Sequence, residues 1–292
     1  MKQKKLAAGS LIFDSVNVVI ITAIGLVCLY PMYHVLMASF SEPIRIMNHS
    51  GPLFWPLGFS LSGYKVVLNN PNVINGYKNT IFYVIAGSSI NMIMTTLGAY
   101  VLAQKEFLPK KIVMFIIVFT MYFSGGIIPN FLLIRNLGML NTRWAIIIPG
   151  AIGTWNMLVM RTAFRTVPAA LTDAARIDGA NDLTILVRIM VPVSKATMAV
   201  ILLFYAVNHW NSWFNAMIYL PRGRNLYPLQ LFLREILITS SVEVTGGDSS
   251  VDFLGELVKY STTIVTTVPI LCLYPFLQRY FVKGVMMGSV KE

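Results

Sequence analysis

The chain has 292 residues, 56% hydrophobic and 12% charged, with mean hydropathy +0.67 and a formal net charge of +11. So apolar a composition excludes a soluble globular domain and describes an all-α integral membrane protein. The basic excess follows from membrane topology and anionic lipid, so it gives no reason to invoke nucleic acid.

A helix needs about 20 residues to cross the bilayer core. Six apolar stretches approach that length: Leu11 to Met37, Thr80 to Ala103, Ile112 to Ile134, Trp144 to Met160, Ala196 to Leu220 and Ser261 to Val282. The first contains Asp14 and Asn17 and follows Lys2, Lys4 and Lys5. It lacks a small-residue cleavage site and reads as a retained anchor, which places the N-terminus in the cytoplasm. With six spans both termini are cytoplasmic, and the Lys and Arg residues concentrate in the inner segments, as the charge rule requires. Cys28 and Cys272 fall inside spans and read as two buried thiols without metal spacing or a disulfide framework.

An outer loop over residues 38–79 carries "SGPLFWPLGFSLSGY", a compact cap in which Phe54, Trp55 and Tyr64 read as interface anchors. "QKEFLPKK" is a short basic inner turn. Gly125, Gly126 and Pro129 interrupt the end of the third span, and Pro269 and Pro275 do the same in the sixth. Broken helices at membrane depth must satisfy their freed backbone groups on protein or in a wet cavity. A second outer loop spans residues 221–260. In it "YPLQLFLREILI" predicts an amphipathic helix on or near the membrane surface, and "SSVEVTGGDSSVDF" a mobile polar loop. No repeat or second soluble domain is evident, so residues 1–292 form a single transmembrane domain.

Several chemistries lack their residues. The second to fifth spans hold no charged side chain, which argues against a proton or sodium relay. There is no phosphate-binding glycine loop. His34, His49 and His209 are scattered, without metal spacing or a catalytic constellation. Transport against a gradient would therefore need energy from a partner, and an intramembrane enzyme has no candidate catalytic residues. A scaffold or self-contained channel remains as an alternative that needs no ATPase.

One passage is charged, "TVPAALTDAARIDGANDLTILVRIMVP". Pro168 suits the first turn of a helix, and Gly179 can end that helix in the left-handed region. Asn181 or Asp182 can cap a second helix, whose apolar positions Leu183, Leu186, Val187 and Met190 recur at helical spacing. Pro192 would stop it, and Ser194 would cap the fifth span. The product is a helix, glycine turn and helix on the cytoplasmic face. Its small surface, Ala174, Ala175, Gly179 and Ala180, lets a partner's backbone come close.

The spacing Asp173-Ala174-Ala175, three residues, Gly179, nine residues, Ile189, one residue, Val191-Pro192 resembles the EAA motif of bacterial ABC importer permeases. Asp173 stands for the usual Glu and Val191 for the usual Leu. "NHWNSWFNAMIYL", "YPLQLFLREIL" and "RYFVKGVMMGSVKE" resemble the maltose-type carbohydrate permeases, while "YFSGGIIPNFLLIRNLGMLNT" and "WNMLVMRTAF" are similar to its LplC- and YtcP-like oligosaccharide branch.

The resemblance implies the type I ABC importer permease fold, with six transmembrane helices and a cytoplasmic coupling loop at residues 165–193. In that loop Asp173, Ala174, Ala175, Asp178, Gly179, Ala180, Ile189 and Pro192 would meet an ATPase. It also implies a second homologous permease, a dimeric cytoplasmic ATPase carrying ATP and Mg, and an extracytoplasmic solute-binding protein that delivers a carbohydrate. No cofactor is implied on this chain itself. Gly284, Gly288 and Ser289, in the tail 283–292, match the segment that reaches between the ATPases. Saccharides bind by stacking on aromatics and by convergent hydrogen bonds, which makes Asn208, Trp210, Asn211, Trp213 and Asn215, with Trp155 and Asn156, and Asn91 beside Thr95, candidate pathway residues. The absence of a basic patch in the spans leans away from strongly anionic oligouronides.

Overall fold

The computed structural model describes residues 8–104, 106–242 and 257–272, which are mostly helical. In chain order the helices are α1 (Ala8–Ser39), α2 (Pro43–Met47), α3 (Ser62–Asn69), α4 (Pro71–Ala103), α5 (Lys110–Tyr122), α6 (Ile127–Asn136), α7 (Trp144–Ile147), α8 (Thr154–Arg165), α9 (Ala169–Ile177), α10 (Asp182–Val193), α11 (Lys195–Trp210), α12 (Phe214–Tyr219), α13 (Leu229–Val242) and α14 (Leu257–Cys272). Among the described residues the isolated bridge between Ser41 and Phe59 is the sole β pairing. The described residues pack as two units, residues 8–70 with 235–242 and 257–267, and residues 71–234 with 268–272.

In the first unit, α1 contributes 27 residues, Phe13–Ser39, long and apolar enough to cross a membrane, and none of its most apolar stretch is buried within the chain. A helix apolar on every side is what a lipid environment requires. Cys28, expected to be buried, is exposed on this helix, and Cys272 is exposed on α14; both thiols are free. The foot of α1 meets the cap that follows it. The Tyr30 hydroxyl accepts the Leu53 N–H at 2.8 Å, and Ser39 Oγ lies 2.7 Å from the Tyr64 hydroxyl. Phe54 and Trp55 stay exposed, whereas Tyr64 is half-buried and packs on Phe40 within the cap. Gly63 is required by close approach: a Cβ there would overlap Ser261 Oγ and come within 2.9 Å of Leu257 Cγ.

In the second unit, α4 is uninterrupted over 33 residues but takes a π turn at Tyr83–Gly87. It starts nine residues before the expected span, so the preceding loop ends at residue 70. Packing explains the extension: Val73, Gly76, Asn79 and Thr80 are buried, and the Leu229 N–H donates to Thr80 Oγ1 at 2.8 Å.

The third expected span is two helices, α5 and α6, bent by 114° at Gly125 and Gly126, and Gly126 has φ +88°. The fourth is also broken: α7 passes into a 3-10 turn at Ile148–Gly150 before α8 begins at Thr154. The fifth ends its regular helix at Trp210 and resumes as α12 at Phe214. α14 begins four residues ahead of Ser261, and Pro269 lies inside it without ending it. Pro275, the rest of the sixth span and the expected polar loop from residue 243 to residue 253 lie outside the described residues. The amphipathic stretch is helical, as α13, with Leu229, Leu231 and Phe232 buried.

One core of this unit gathers Ala99, Tyr100, Met157, Met160, Phe164, Ile201 and Tyr205 from α4, α8 and α11 with Ile185, Leu186 and Met190 from α10. Lipid tails are as apolar as leucine, so close packing and hydrogen bonds rather than water exclusion hold such helices together. Gly98 illustrates the closeness, since a Cβ there would sit 3.0 Å from Met157 Sδ. A second core, with Tyr83, Ile146, Ile147, Ala216, Leu220 and Leu231, closes the opposite end.

Candidate functional site

The charged passage folds as a helix, turn and helix, and its hydrogen bonds give the reason. Pro168 stands just outside α9 in the cap position. At the other end the Gly179 N–H donates to the Arg176 carbonyl at 3.0 Å and the Ala180 N–H to the Ala175 carbonyl at 2.9 Å. This is a Schellman closure around a left-handed residue, and Gly179 has φ +81°. Asn181 then caps α10, its Oδ1 accepting the Thr184 N–H at 2.8 Å.

Two expectations for α10 are corrected. Pro192 does not stop the helix, which continues through Val193 after a π turn at Leu186–Met190. The bend comes at Ser194, where α10 and α11 meet at 87°. Ser194 makes no side-chain cap bond; it is buried in the bend. The apolar face also differs: Ile185, Leu186 and Met190 are buried, while Leu183 and Val187 are 63% and 56% exposed. The π turn rotates the later positions relative to a regular 3.6-residue count.

An ion-pair cluster ties the loop to α4 and to the turn after it. The Arg176 guanidinium lies 3.4 Å from Glu106 and 3.5 Å from Asp182, and the Tyr100 hydroxyl donates to Asp182 at 3.1 Å. The Glu106 carboxylate, with a smaller contribution from Asp182, raises the Arg176 pKa and keeps it charged. A cleft of about 410 Å³ opens beside these groups, walled by Leu97, Tyr100, Phe107 and Leu183. Asp173, Ala174, Asp178, Gly179 and Pro192 face outward, and Ala175, Ala180 and Ile189 are half-buried. A Cβ on Gly179 would meet nothing within 4 Å, so within this chain the glycine is needed for its backbone conformation alone. With Leu171, Ile177, Leu183 and Val187 also exposed, the loop presents an apolar outer face that no other part of the described chain covers.

The candidate pathway residues separate into two groups. Trp155, Asn208, Asn211 and Asn215 are exposed and Asn156 is half-buried. An asparagine on a helix of this kind is costly against lipid, so an exposed set argues for a wet cavity or a partner beside it. Trp210 is buried and meets Tyr77 edge-on, and Trp213 lies under the Arg234 guanidinium, 3.8 Å from the ring centre. Asn91 and Thr95 are corrected from pathway contacts to interior ones. Asn91 is 1% and Thr95 0% exposed. The Asn91 amide donates to the Gly150 carbonyl, its Oδ1 lies 2.6 Å from His209 Nε2, and Thr95 Oγ1 lies 2.6 Å from the Tyr205 hydroxyl.

Sequence reasoning passed over His209 and Tyr205. Their signal was available: polar residues at 91 and 95 and at 205 and 209 are spaced four apart on otherwise apolar helices, which puts each pair on one face. Gly284, Gly288 and Ser289 lie outside the described residues.

Residues 94–287 match the family described as "Binding-protein-dependent transport system inner membrane component". The polygalacturonan/rhamnogalacturonan transport system permease protein YtcP of Bacillus subtilis is 35% identical over 285 residues, covering 96% of this chain and 98% of that protein. Protein LplC of the same organism is 33% identical, covering 96% and 95%. Among solved structures, a chain of a bacterial ABC transporter involved in the import of the acidic polysaccharide alginate superposes with a TM-score of 0.85 at 32% identity, over 96% of this chain and all of that one.

Proposed function

The chain belongs to the family of inner membrane components of binding-protein-dependent transport systems, and we propose that it is the second permease subunit of an ATP-binding-cassette importer, forming half of the path for an oligosaccharide derived from a complex polysaccharide. A second, homologous permease forms the other half. A dimeric ATPase on the cytoplasmic side supplies the energy with its own ATP and Mg, and an extracytoplasmic solute-binding protein delivers the sugar.

The observation that carries this reading is the loop at residues 169–193. Three of its large apolar side chains, Ile185, Leu186 and Met190, are anchored in the permease core, and five, Leu171, Ile177, Leu183, Val187 and Val193, face outward around an open glycine turn. A short helix seated in a groove of another protein is recognised by such an exposed apolar face. The anchored side passes the partner's movement directly to α4, α8 and α11. In this reading the loop and both termini are cytoplasmic, and the tail with Gly284, Gly288 and Ser289 reaches the ATPases.

Trp155, Asn156, Asn208, Asn211 and Asn215 form the wall offered to sugar. One relative's name refers to polygalacturonan and the solved neighbour's to an acidic polysaccharide. Acidic oligosaccharides therefore belong among the substrates to screen, against the leaning drawn from the uncharged spans.

The test is co-purification of the tagged chain from mild detergent. Recovery of a nucleotide-binding subunit and a second permease is expected. Recovery of the chain alone, under conditions that keep a control importer intact, would refute the assembly.

A further inference from the structure

The break between α7 and α8 frees backbone groups that a membrane helix would otherwise pair internally. Two of them are taken by side chains from neighbouring helices. The Gly150 carbonyl accepts the Asn91 amide, and the Gly153 N–H donates to the Tyr205 hydroxyl at 3.0 Å. Both side chains are held in turn, Asn91 by His209 and Tyr205 by Thr95.

Donor counting fixes the hydrogens of the first bond. Asn91 spends its amide on Gly150, so its Oδ1 is the acceptor and His209 Nε2 carries a proton; the Tyr205 hydroxyl accepts from Gly153, and in its 2.6 Å bond with Thr95 either hydroxyl can donate. The two bonds form rungs between α4 and α11, four residues apart on each helix, and each rung ends on one side of the same break. There is little slack. A Cβ on Gly153 would sit 3.1 Å from the Tyr205 hydroxyl, and one on Gly87 would strike the His209 ring. Trp155 and Asn156 follow at once in the first turn of α8, and Trp155 is 63% exposed.

We propose that the Asn91–His209 and Thr95–Tyr205 rungs clamp the Gly150–Gly153 break and so set where Trp155 and Asn156 stand on the pathway wall, with Tyr205 as their positioning residue. Bonds between α4 and α11 alone would only hold two helices together. Because these rungs end on the backbone of a third segment, a slide of α11 along α4 moves the break, and Trp155 with it. The inference rests on Trp155 facing the pathway, as proposed above.

The assembled importer in proteoliposomes tests it, with Trp155→Cys as the sole cysteine of this chain after Cys28→Ser and Cys272→Ser. The labelling rate with a small water-soluble maleimide is measured per folded complex. A thiol reacts as the thiolate and so needs water, which makes the rate a report on local exposure rather than on yield. Tyr205→Phe and Thr95→Val should each shift the rate at position 155 by about fivefold, the population change that one net hydrogen bond supports. Thr95→Ser should restore the parent rate, and the double variant should shift it no further than Tyr205→Phe alone. Ser50→Cys, at an exposed position of the cap, should label equally in all backgrounds. A reactive cysteine at 155 whose rate ignores both substitutions overturns the clamp and leaves the pathway reading standing. A cysteine there that is unreactive in every background overturns the pathway position of Trp155, and the inference with it.

Discussion

Gly87→Ala is the sharpest perturbation available in the packed unit. Gly87 closes the π turn of α4 and is buried under His209. An added Cβ would sit 2.5 Å from His209 Cε1 and 2.9 Å from Cδ2, and closer still to Nε2. The imidazole has no free side to move to without giving up its bond to Asn91. Overpacking of this kind costs about 1–3 kcal/mol. Leaving the buried Asn91 oxygen unpaired adds about 1–3 kcal/mol, and alanine returns roughly 0.5–1 kcal/mol of helix preference. The net expectation is a loss of about 3 kcal/mol. His209→Ala should also destabilise, but by removing the ring it makes room. In that background Gly87→Ala should therefore cost nothing or give back its helix preference. The assay is the folded fraction in detergent across a denaturant or temperature series for the four variants of the cycle. Equal costs of Gly87→Ala with and without His209, within about 0.5 kcal/mol, would refute the contact.

Other substitutions probe separate features. Gly179→Asn, which tolerates positive φ, should retain most ATP-driven uptake, Gly179→Ala less, and Gly179→Asp should reach the membrane yet lose uptake; normal uptake by the Asp variant would remove the coupling role. Asn181→Ala should lower stability by about 1 kcal/mol through the lost cap bond, read as a shift in the thermal midpoint. Among the described residues Ser261 Oγ is buried without a hydrogen-bond partner. Ser261→Ala should therefore be neutral or stabilising, and should lessen the roughly 1–3 kcal/mol overpacking cost expected of Gly63→Ala. A Gly63→Ala loss unchanged by Ser261→Ala would place that cost elsewhere.

The loop at residues 168–181 was legible because its rules are local. A proline before the helix, a glycine that must go left-handed and an asparagine three residues ahead of the amide it caps are all read within one window. The interruption at Gly125 and Gly126 was legible for the same reason. The breaks at 148–153 and 211–213 carry local signals too, Pro149, Gly150 and Gly153 in one and Asn211-Ser212 in the other, but apolar flanks let each be read through as part of a span, and the groups that pair the first break come from other helices. The rung between Asn91 and His209 joins residues 118 positions apart. Read singly, an asparagine in a span suits a sugar contact as well as a helix contact; only its burial against His209 and Gly150 decides. The π turn in α10 likewise leaves no compositional trace, yet it shifts Val187 and the positions after it from a regular helical count.

The bare flanks of α1 bear on how the protein is made. Its most apolar stretch gains nothing from the rest of the chain and everything from lipid, so it can partition into the bilayer as soon as it is synthesised. α5 and α8, of 13 and 12 residues, fall short of the roughly 20 needed to span the core. The break before α8 depends on α4 and α11, whose Asn91 and Tyr205 pair its freed backbone groups, whereas the break after α5 is exposed within this chain. Insertion should therefore proceed in two phases, a prompt anchor followed by a cooperative group, and a substitution in a rung should slow the second phase without touching the first.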